Sequence, residues 1–296
     1  MFDNRRSPRG ARRRVSPLAA LVATTALGAG LLIVARFSPP SDAAPRISPQ
    51  YLTLQPRPSA GVLSAINVGF GASPQRGGQV GVAAAPVAVR YTFDGGVQQP
   101  ITDLGGAFTL RPLAQNGGTL SLVPQGNGLA VQYPHRCTLL RERQCPRAIL
   151  EGTRDDRLNP GIRSMQYGAS ILMTHEDLSD GANVLQKGYS VGGASQFKLQ
   201  VDHRLGHPSC VIAGRTRIYR AEPFMDVADG MWHNLMCARS RTRLTIVVDG
   251  IERAWVPVPP TLSIANAEPL RVGGKGANMG NDQFAGRVDD VYLTIF

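Results

Sequence analysis

Residues 196–202 have the sequence Gln-Phe-Lys-Leu-Gln-Val-Asp, in which polar and apolar residues alternate without interruption. In an extended chain, Phe197, Leu199 and Val201 therefore lie on one face and the polar residues lie on the other. This period of two predicts a half-buried β-strand.

The same alternation recurs in Leu244, Ile246 and Val248, directly before Asp249-Gly250, a dipeptide that tight hairpin turns prefer. About a dozen short runs of this kind alternate with Gly, Asn, Asp and Pro clusters, and no segment predicts a helix longer than a turn or two. The clearest further runs are residues 87–93, 129–133, 165–174, 209–213 and 232–239. The spacing predicts an all-β fold, an antiparallel sandwich over residues 87–296.

The positive charge of the chain is concentrated outside this predicted sandwich. The 296 residues have a net charge of +11, and residues 1–86, with ten arginines and two aspartates, account for +8 of it. A nucleic-acid-binding domain carries its excess of positive charge on the folded part. We therefore expect no nucleic-acid partner, and the 43% hydrophobic content excludes wholesale disorder.

Residues 1–44 have the pattern of an export signal or membrane anchor. Six arginines lie within residues 1–14, the segment 15–35 has no charge, and Ser41-Asp42-Ala43-Ala44 supplies small residues for cleavage. The apolar segment is long for a cleaved signal and long enough to span a bilayer. Two outcomes stay open, secretion after cleavage or a single-pass anchor with a cytoplasmic N-terminus. Both place the remaining chain at the cell surface or in the extracellular space, with membrane contact only through this segment.

Residues 45–86 separate the signal from the sandwich. They contain six prolines and six glycines among 42 positions, which is too little apolar density to fold alone. We therefore expect three parts: a signal or anchor at 1–44, a flexible linker at 45–86 and one domain at 87–296.

All four cysteines, Cys137, Cys145, Cys210 and Cys237, lie in the predicted domain. An even number in an exported chain predicts two disulfides, for which three pairings are open. Proximity favours Cys137 with Cys145, closing a short loop, and Cys210 with Cys237, tying two strands together. A metal cluster is the alternative, but no pair of cysteines has the two-residue spacing of a zinc site.

Several segments together resemble one known family. They are Tyr91-Thr92-Phe93-Asp94, Thr102-Asp103-Leu104-Gly105-Gly106, Asn183-Val184-Leu185-Gln186-Lys187-Gly188, Asp229-Gly230-Met231-Trp232-His233-Asn234-Leu235, Leu244-Thr245-Ile246-Val247-Val248-Asp249-Gly250, Pro269-Leu270-Arg271-Val272-Gly273-Gly274 and Phe284-Ala285-Gly286-Arg287-Val288-Asp289-Asp290-Val291. In this order they resemble a laminin-G-like domain of the concanavalin-A-like lectin/glucanase superfamily, of the bacterial exported type. The resemblance implies a two-sheet antiparallel jelly-roll sandwich. The Arg-rich residues 138–160 depart from the pattern, as an insertion or a family-specific edge would.

The sequence predicts no catalytic residue. Glycoside hydrolases that share this fold carry their carboxylates on one strand as Glu-x-Asp-x-x-Glu or a close variant, whereas the six glutamates here are scattered. No phosphate-binding loop is present either, so no organic cofactor is expected. Trp232 is expected to pack in the core, and His233 is expected to brace a neighbouring strand.

Three aspartates are candidate calcium ligands. By alternation, Asp289 shares one face of the last strand with apolar residues, namely Val291, Leu293 and Ile295. A carboxylate there needs a cation or several hydrogen bonds to offset its desolvation. Asp94 and Asp103 are the candidate co-ligands, because a jelly roll often pairs its first and last strands and the resemblance implies calcium near these positions. The alternative is that Asp289 accepts backbone N–H bonds or pairs with an arginine.

These observations predict a non-catalytic extracellular binding module, calcium-assisted, for a glycan or for a cell-envelope or extracellular protein. The sequence assigns no ligand-binding residue, and the candidate aromatic side chains for a sugar-binding face are Tyr133, Tyr167, Tyr189 and Tyr219. Two alternatives from other classes stay open, a polysaccharide-active glycoside hydrolase of the same fold and a purely structural envelope protein.

Overall fold

The computed structural model describes residues 85–97, 100–179, 181–191, 194–202 and 205–296. The predicted export signal and residues 45–84 of the predicted linker lie outside these residues. Within them the protein forms strands and three short 3-10 helices, Glu142–Gln144, Asp156–Leu158 and His175–Asp177. None of the helices in this part of the chain is long and apolar enough to cross a membrane. The prediction of an all-β fold is confirmed.

Sixteen strands follow one another in the described part of the chain. They are β1 (Val87–Tyr91), β2 (Ile101–Thr102), β3 (Thr109–Gln115), β4 (Ser121–Gln125), β5 (Gly128–Gln132), β6 (Arg147–Gly152), β7 (Met165–Thr174), β8 (Ala182–Gly188), β9 (Gln196–Asp202), β10 (His207–Ala213), β11 (Ile218–Ala221), β12 (Asp229–Arg239), β13 (Arg243–Val248), β14 (Ile251–Pro257), β15 (Leu270–Val272) and β16 (Arg287–Ile295).

The strands form two antiparallel sheets that pack as a sandwich. The first sheet has the order β14-β13-β12-β7-β16-β5-β4, and β1 also pairs with β16. The second has the order β11-β10-β9-β8-β15-β6-β3-β2. The predicted pairing of the first strand with the last is therefore present.

The core lies between the two sheets. Phe197, Leu199 and Val201 are buried there, as their alternation predicts. The ring centroids of Phe197 and Tyr167 are 5.0 Å apart, so β9 of the second sheet contacts β7 of the first. Burying a side chain of this size contributes about 1.5–3 kcal/mol to folding.

The opposite face of β9 differs from the sequence prediction. Gln196, Gln200 and Asp202 are also buried, so this strand is not half-buried. Alternation predicts correctly which residues share a face, but it does not predict what covers that face.

The hairpin turn between β13 and β14 has the predicted position. Asp249 and Gly250 have φ angles of 53° and 79°, and both therefore lie in the left-handed region that Asp, Asn and Gly tolerate best. His233 also has its predicted role, because its Nδ1 lies 2.8 Å from Oδ2 of Asp249 and connects β12 to this turn.

Both favoured disulfides are confirmed. Cys137 pairs with Cys145 and Cys210 pairs with Cys237. The second bond joins β10 in one sheet to β12 in the other, so it crosses the core of the sandwich.

Two predictions about individual segments are wrong. Residues 138–160 are not simply an insertion or an edge, because β6 lies inside the second sheet between β15 and β3. Trp232 is half-buried rather than part of the core. Leu235 and Cys237 of β12 face the core, and Trp232 lies an odd number of positions before each of them. Its side chain therefore lies on the outer face of the first sheet.

Candidate ligand-binding face

The outer face of the second sheet carries a row of mainly polar side chains, which we call the polar row. Each member is the register partner of the next across seven neighbouring strands, from β3 to β11. The row consists of Arg111, Glu151, Arg271, Gln186, Lys198, Val211 and Arg220. Such a row gives the face fixed donors and acceptors at strand spacing.

Arg271 organises one end of the polar row. Its Nε donates to Oε2 of Glu151 at 2.6 Å, and its Nη1 donates to Oε2 of Glu268 at 3.1 Å. Nη1 also donates to the hydroxyl of Tyr189 at 3.0 Å, and that hydroxyl donates to the carbonyl oxygen of Lys275. Burial is the main cause that raises the pKa of Tyr189 above its ordinary value. These bonds hold the phenol, the guanidinium and both carboxylates in place.

Asp202 organises the other end. Its carboxylate accepts hydrogen bonds from Gln200 Nε2 at 2.7 Å, Ser209 Oγ at 3.1 Å and Arg220 Nη1 at 2.7 Å. These three donors offset the desolvation of a buried carboxylate. They also explain why the polar side of β9 is buried, since these side chains bond to one another across β9, β10 and β11.

Lys198 lies between these two networks. Among the described residues its ammonium group has neither an ion pair nor a hydrogen-bond partner, whereas Lys275 pairs with Asp282 at 2.7 Å. Burial lowers the pKa of Lys198 from 10.5 to about 8. It is therefore a partly buried cation on the outer face, without a direct partner among the described residues.

The loop between β15 and β16, residues 273–286, stands over the polar row. The carbonyl oxygen of Asp282 accepts the N–H of Asn183, and the side-chain amide of Gln283 bonds to both backbone groups of Ala148. Gly273, at the start of the loop, has a φ of +90°, and a Cβ there would lie 1.9 Å from the ring of Tyr133. Glycine is thus required where the loop leaves the sheet.

A cavity opens on each side of this loop. The first, which we call the tyrosine cavity, has a volume of about 290 Å³ and is lined by Leu113, Glu151, Tyr189, Arg271 and loop residues 275–281. The second has a volume of about 420 Å³ and lies between the loop and the disulfide-closed residues 137–145. Sequence reasoning found Tyr189 but missed Glu151 and Arg271. The alternation of Arg271 with buried Leu270 and Val272 is the signal that could have identified the latter.

The predicted aromatic residues divide into two groups. Tyr133 and Tyr167 are buried in the core between the sheets and cannot contact a ligand. Tyr189 and Tyr219 are half-buried and reach the surface. Only Tyr189 lines the tyrosine cavity.

The three predicted calcium ligands do not share one environment. Asp103 is buried and accepts the backbone N–H groups of Gly105, Ala107 and Phe108 at 2.7–3.0 Å. Asp94 is exposed and accepts the N–H of Leu129 at 2.9 Å. No group of three or more His, Cys, Asp or Glu side chains in the described ranges could hold a metal ion. The residues therefore do not fit as a three-carboxylate site, and calcium binding stays a prediction.

Asp289 does not share the face of the apolar residues that follow it, and this expectation is wrong. Asp289 lies opposite Ser170 of β7, after which the register shifts, and Asp290 has a φ of 49°. This β-bulge places Val288 and Val291 in the core and leaves Asp289 on the outer face. Burial raises the pKa of Asp289 to about 6, and the nearby carboxylates of Asp290 and Asp94 act in the same direction.

The sequence of residues 171–294 matches the family model Laminin_G_3, described as concanavalin A-like lectin/glucanases superfamily. Residues 171–294 are laminin-G-like. The match begins in β7 and ends in β16, and it includes Tyr189, Lys198, Arg271 and the loop that stands over the polar row. No match was found among curated proteins.

Solved structures share the fold of this laminin-G-like domain. Domain 4 of AbnA, a GH43 extracellular arabinanase from Geobacillus stearothermophilus, in complex with arabinotriose, has a TM-score of 0.51 at 16% identity, covering 70% of this chain and 91% of that one. The binding domain of Paraclostridial Mosquitocidal Protein 1 has a TM-score of 0.51 at 12% identity, covering 69% and 48%. The binding domain of botulinum neurotoxin DC, in complex with rat synaptotagmin II, has a TM-score of 0.50 at 10% identity, covering 69% and 47%. The chain thus spans about half of each toxin binding domain, and identities this low show the fold alone.

Proposed function

We propose that the laminin-G-like domain is a non-catalytic carbohydrate-binding module whose glycan lies in the tyrosine cavity. The observation that carries the proposal is the fixed group of Tyr189, Arg271 and Glu151 in an open cavity of about 290 Å³. An aromatic ring beside a few well-placed polar groups is the usual composition of a small-molecule site. The ring can pack on the apolar face of a sugar, and the polar groups can bond to its hydroxyls.

The hydrogen bonds within the cavity support binding because they are formed before any ligand arrives. Arg271 is held by two carboxylates and by the Tyr189 hydroxyl. Little side-chain entropy is then lost when a sugar binds, and this preorganisation increases affinity. The complex of the arabinanase domain with arabinotriose shows that a domain of this fold can accept a sugar chain, which supports a carbohydrate as the ligand class.

The same contacts support a non-catalytic role. A retaining or inverting glycosidase needs one carboxylic acid that can protonate the leaving group. Glu151, which lines the cavity, and Glu268 are both ion-paired with Arg271. These ion pairs give both carboxylates the role of holding the arginine in place.

We further propose that the domain acts outside the cytoplasmic membrane, either secreted or anchored by the N-terminal segment. The two disulfides support this location, because such bonds persist in oxidising compartments. A cell-envelope or extracellular protein is the alternative partner.

A glycan array with the full-length, disulfide-intact protein tests the function, followed by calorimetry on the best ligand. Tyr189→Ala is expected to weaken binding at least tenfold through loss of the ring. Tyr219→Ala is the matched control, because Tyr219 is also half-buried beside an arginine, Arg217, but lies away from the cavity. Equal losses in both variants, or no glycan bound at all, would contradict the proposal. New reducing ends on incubation with polysaccharides would support the hydrolase instead.

A further inference from the structure

Two adjacent leucines project into solvent from the disulfide-closed residues 137–145, which we call the cysteine loop. Leu139 is 53% exposed and Leu140 is 105% exposed. A stable soluble domain gains nothing from two large apolar side chains held in water, and exposed apolar groups that cluster commonly mark an interaction surface. Leu139 and Leu140 contribute nothing to the core between the sheets.

The cysteine loop is attached to the domain through residues 142–145. Its two ends are joined by the disulfide, and the side-chain amide of Asn116 donates to the carbonyl oxygens of Arg143 and Cys145 at 2.7 and 2.9 Å. Arg147, which is buried, donates to the carbonyl oxygen of Glu142 at 2.7 Å. The closed loop is therefore held on the sandwich next to the leucines, which limits the loop entropy that would be lost on docking.

The surroundings of the leucines are basic. Arg136, Arg141 and Arg143 are exposed, and in the part of the chain that the structure describes none of them forms an ion pair with a carboxylate. The one acid of the loop, Glu142, is engaged by Arg147 and by the N–H of Gly280. The cysteine loop thus combines an apolar tip with positive charge on both sides.

A further exposed apolar residue lies close by. Met279 is 62% exposed and precedes Gly280, whose N–H binds Glu142 of the cysteine loop. Gly280 lines both cavities described above. The apolar surface therefore continues from the cysteine loop to the tip of the loop between β15 and β16.

We propose that the cysteine loop docks on an anionic lipid bilayer, with Leu139 and Leu140 entering the acyl boundary and the three arginines at the level of the headgroups. Apolar side chains in the interface and cations against anionic lipids are the two attractions that hold peripheral proteins on membranes. The charge complementarity selects a bilayer with acidic headgroups. This contact adds to any membrane contact made by the N-terminal segment, and it does not depend on the proposed glycan site.

Tryptophan fluorescence can report this contact even if another segment anchors the protein. Full-length protein carrying Leu140→Trp is mixed with vesicles of phosphatidylcholine and phosphatidylglycerol whose acyl chains are brominated near the glycerol. The matched control is Phe224→Trp, because Phe224 is 98% exposed but lies between the acidic residues Glu222 and Asp226. Both variants keep the native Trp232 and Trp255 as a common background.

The expected result is strong quenching of Leu140→Trp and none beyond the background for Phe224→Trp. Adding Arg141→Gln and Arg143→Gln to Leu140→Trp is expected to lower the equilibrium constant for insertion of the loop, read from the quenching, about thirtyfold. Vesicles of phosphatidylcholine alone should show at least this weakening, because none of the three arginines then meets an anionic headgroup. Equal quenching in Leu140→Trp and Phe224→Trp would overturn the proposal. A partner protein would then be the alternative ligand of the two leucines.

Discussion

The side-chain amide of Gln283 pairs with the backbone of Ala148 as a neighbouring strand would. Its Oε1 accepts the N–H of Ala148 at 3.2 Å, and its Nε2 donates to the carbonyl oxygen of Ala148 at 2.9 Å. Because Gln283 lies at the end of the loop between β15 and β16, this pair fixes the wall that separates the two cavities.

The first prediction concerns this pair. Gln283→Glu removes the amide donor to the carbonyl oxygens of Ala148, Gly273 and Phe284 and places a carboxylate beside them. We expect the free energy of unfolding to fall by about 2–3 kcal/mol, as for other lost buried hydrogen bonds. Urea unfolding at pH 7 measures it. Gln125→Glu, a similar change on β4, should be nearly neutral, and an equal loss there would refute the role of the pair.

The second prediction distinguishes a calcium-binding role of the three aspartates from a purely structural role. Asp103→Ala should lower stability by about 3 kcal/mol, since it leaves three backbone N–H groups without an acceptor. That loss should be the same in calcium and in chelator. If calcium binds at Asp94 and Asp289, it should raise the melting temperature of the wild-type protein in a concentration-dependent way, and Asp289→Asn should abolish the rise. If calcium does not change the melting temperature of the wild-type protein, the hypothesis of a calcium site is wrong.

The third prediction uses the pH dependence of Lys198. Burial lowers the pKa of Lys198 to about 8, whereas the unfolded chain keeps a value near 10.5. Between these values the unfolded state binds more protons, so this lysine makes the folded state more stable as the pH rises. The charged groups facing it are Asp202, Arg220, Lys275 and Asp282.

Lys198→Gln should therefore be more stable than the wild type at pH 7, and the difference should shrink as the pH approaches 10. Chemical unfolding of both proteins at pH 7, 8.5 and 10 measures it. A difference that does not change with pH would show that the charge of Lys198 is not the cause.

The fourth prediction compares the two disulfides. In the chain-entropy estimate, removing Cys210–Cys237 costs about 3.5 kcal/mol and removing Cys137–Cys145 about 2.5 kcal/mol. The first also leaves a gap in the core, whereas the second should loosen the cysteine loop and leave the sandwich intact. Paired Cys→Ala variants, followed by thermal unfolding and near-ultraviolet circular dichroism, distinguish the two. Loss of the sandwich signal in the Cys137→Ala/Cys145→Ala protein would contradict this division.

The strands were predictable because alternation depends only on neighbouring residues. The bounds of β7 and β9 agree with the sequence prediction. The predicted turn at Asp249-Gly250 is also present, and both residues have the positive φ angles that it requires. The face of Asp289 was not predictable in this way. One extra residue in a bulge reverses the alternation, and the apolar residues beyond it still alternate normally.

The candidate site was predictable only in part, for a different reason. Tyr189 and Arg271 lie far apart in the chain, and they meet because β15 pairs with β8. Which tyrosines reach the surface depends on which side of each sheet faces the core. Tyr133 and Tyr167 were candidates together with Tyr189, yet both are buried. The pairing of strands that are distant in the sequence determines which tyrosines are buried. The alternation of residues within one strand does not reveal this.

The bond between Cys210 and Cys237 has a mechanical consequence for a protein that is pulled from its ends. The 27-residue separation between these cysteines cannot lengthen under force while the bond is intact. Unfolding the oxidised domain in optical tweezers should therefore release about 90 Å less contour than unfolding the reduced one, at about 3.4 Å per extended residue. The closed segment contains β11 and most of β10 and β12, so this part of the domain keeps a fixed span while the strands outside it extend.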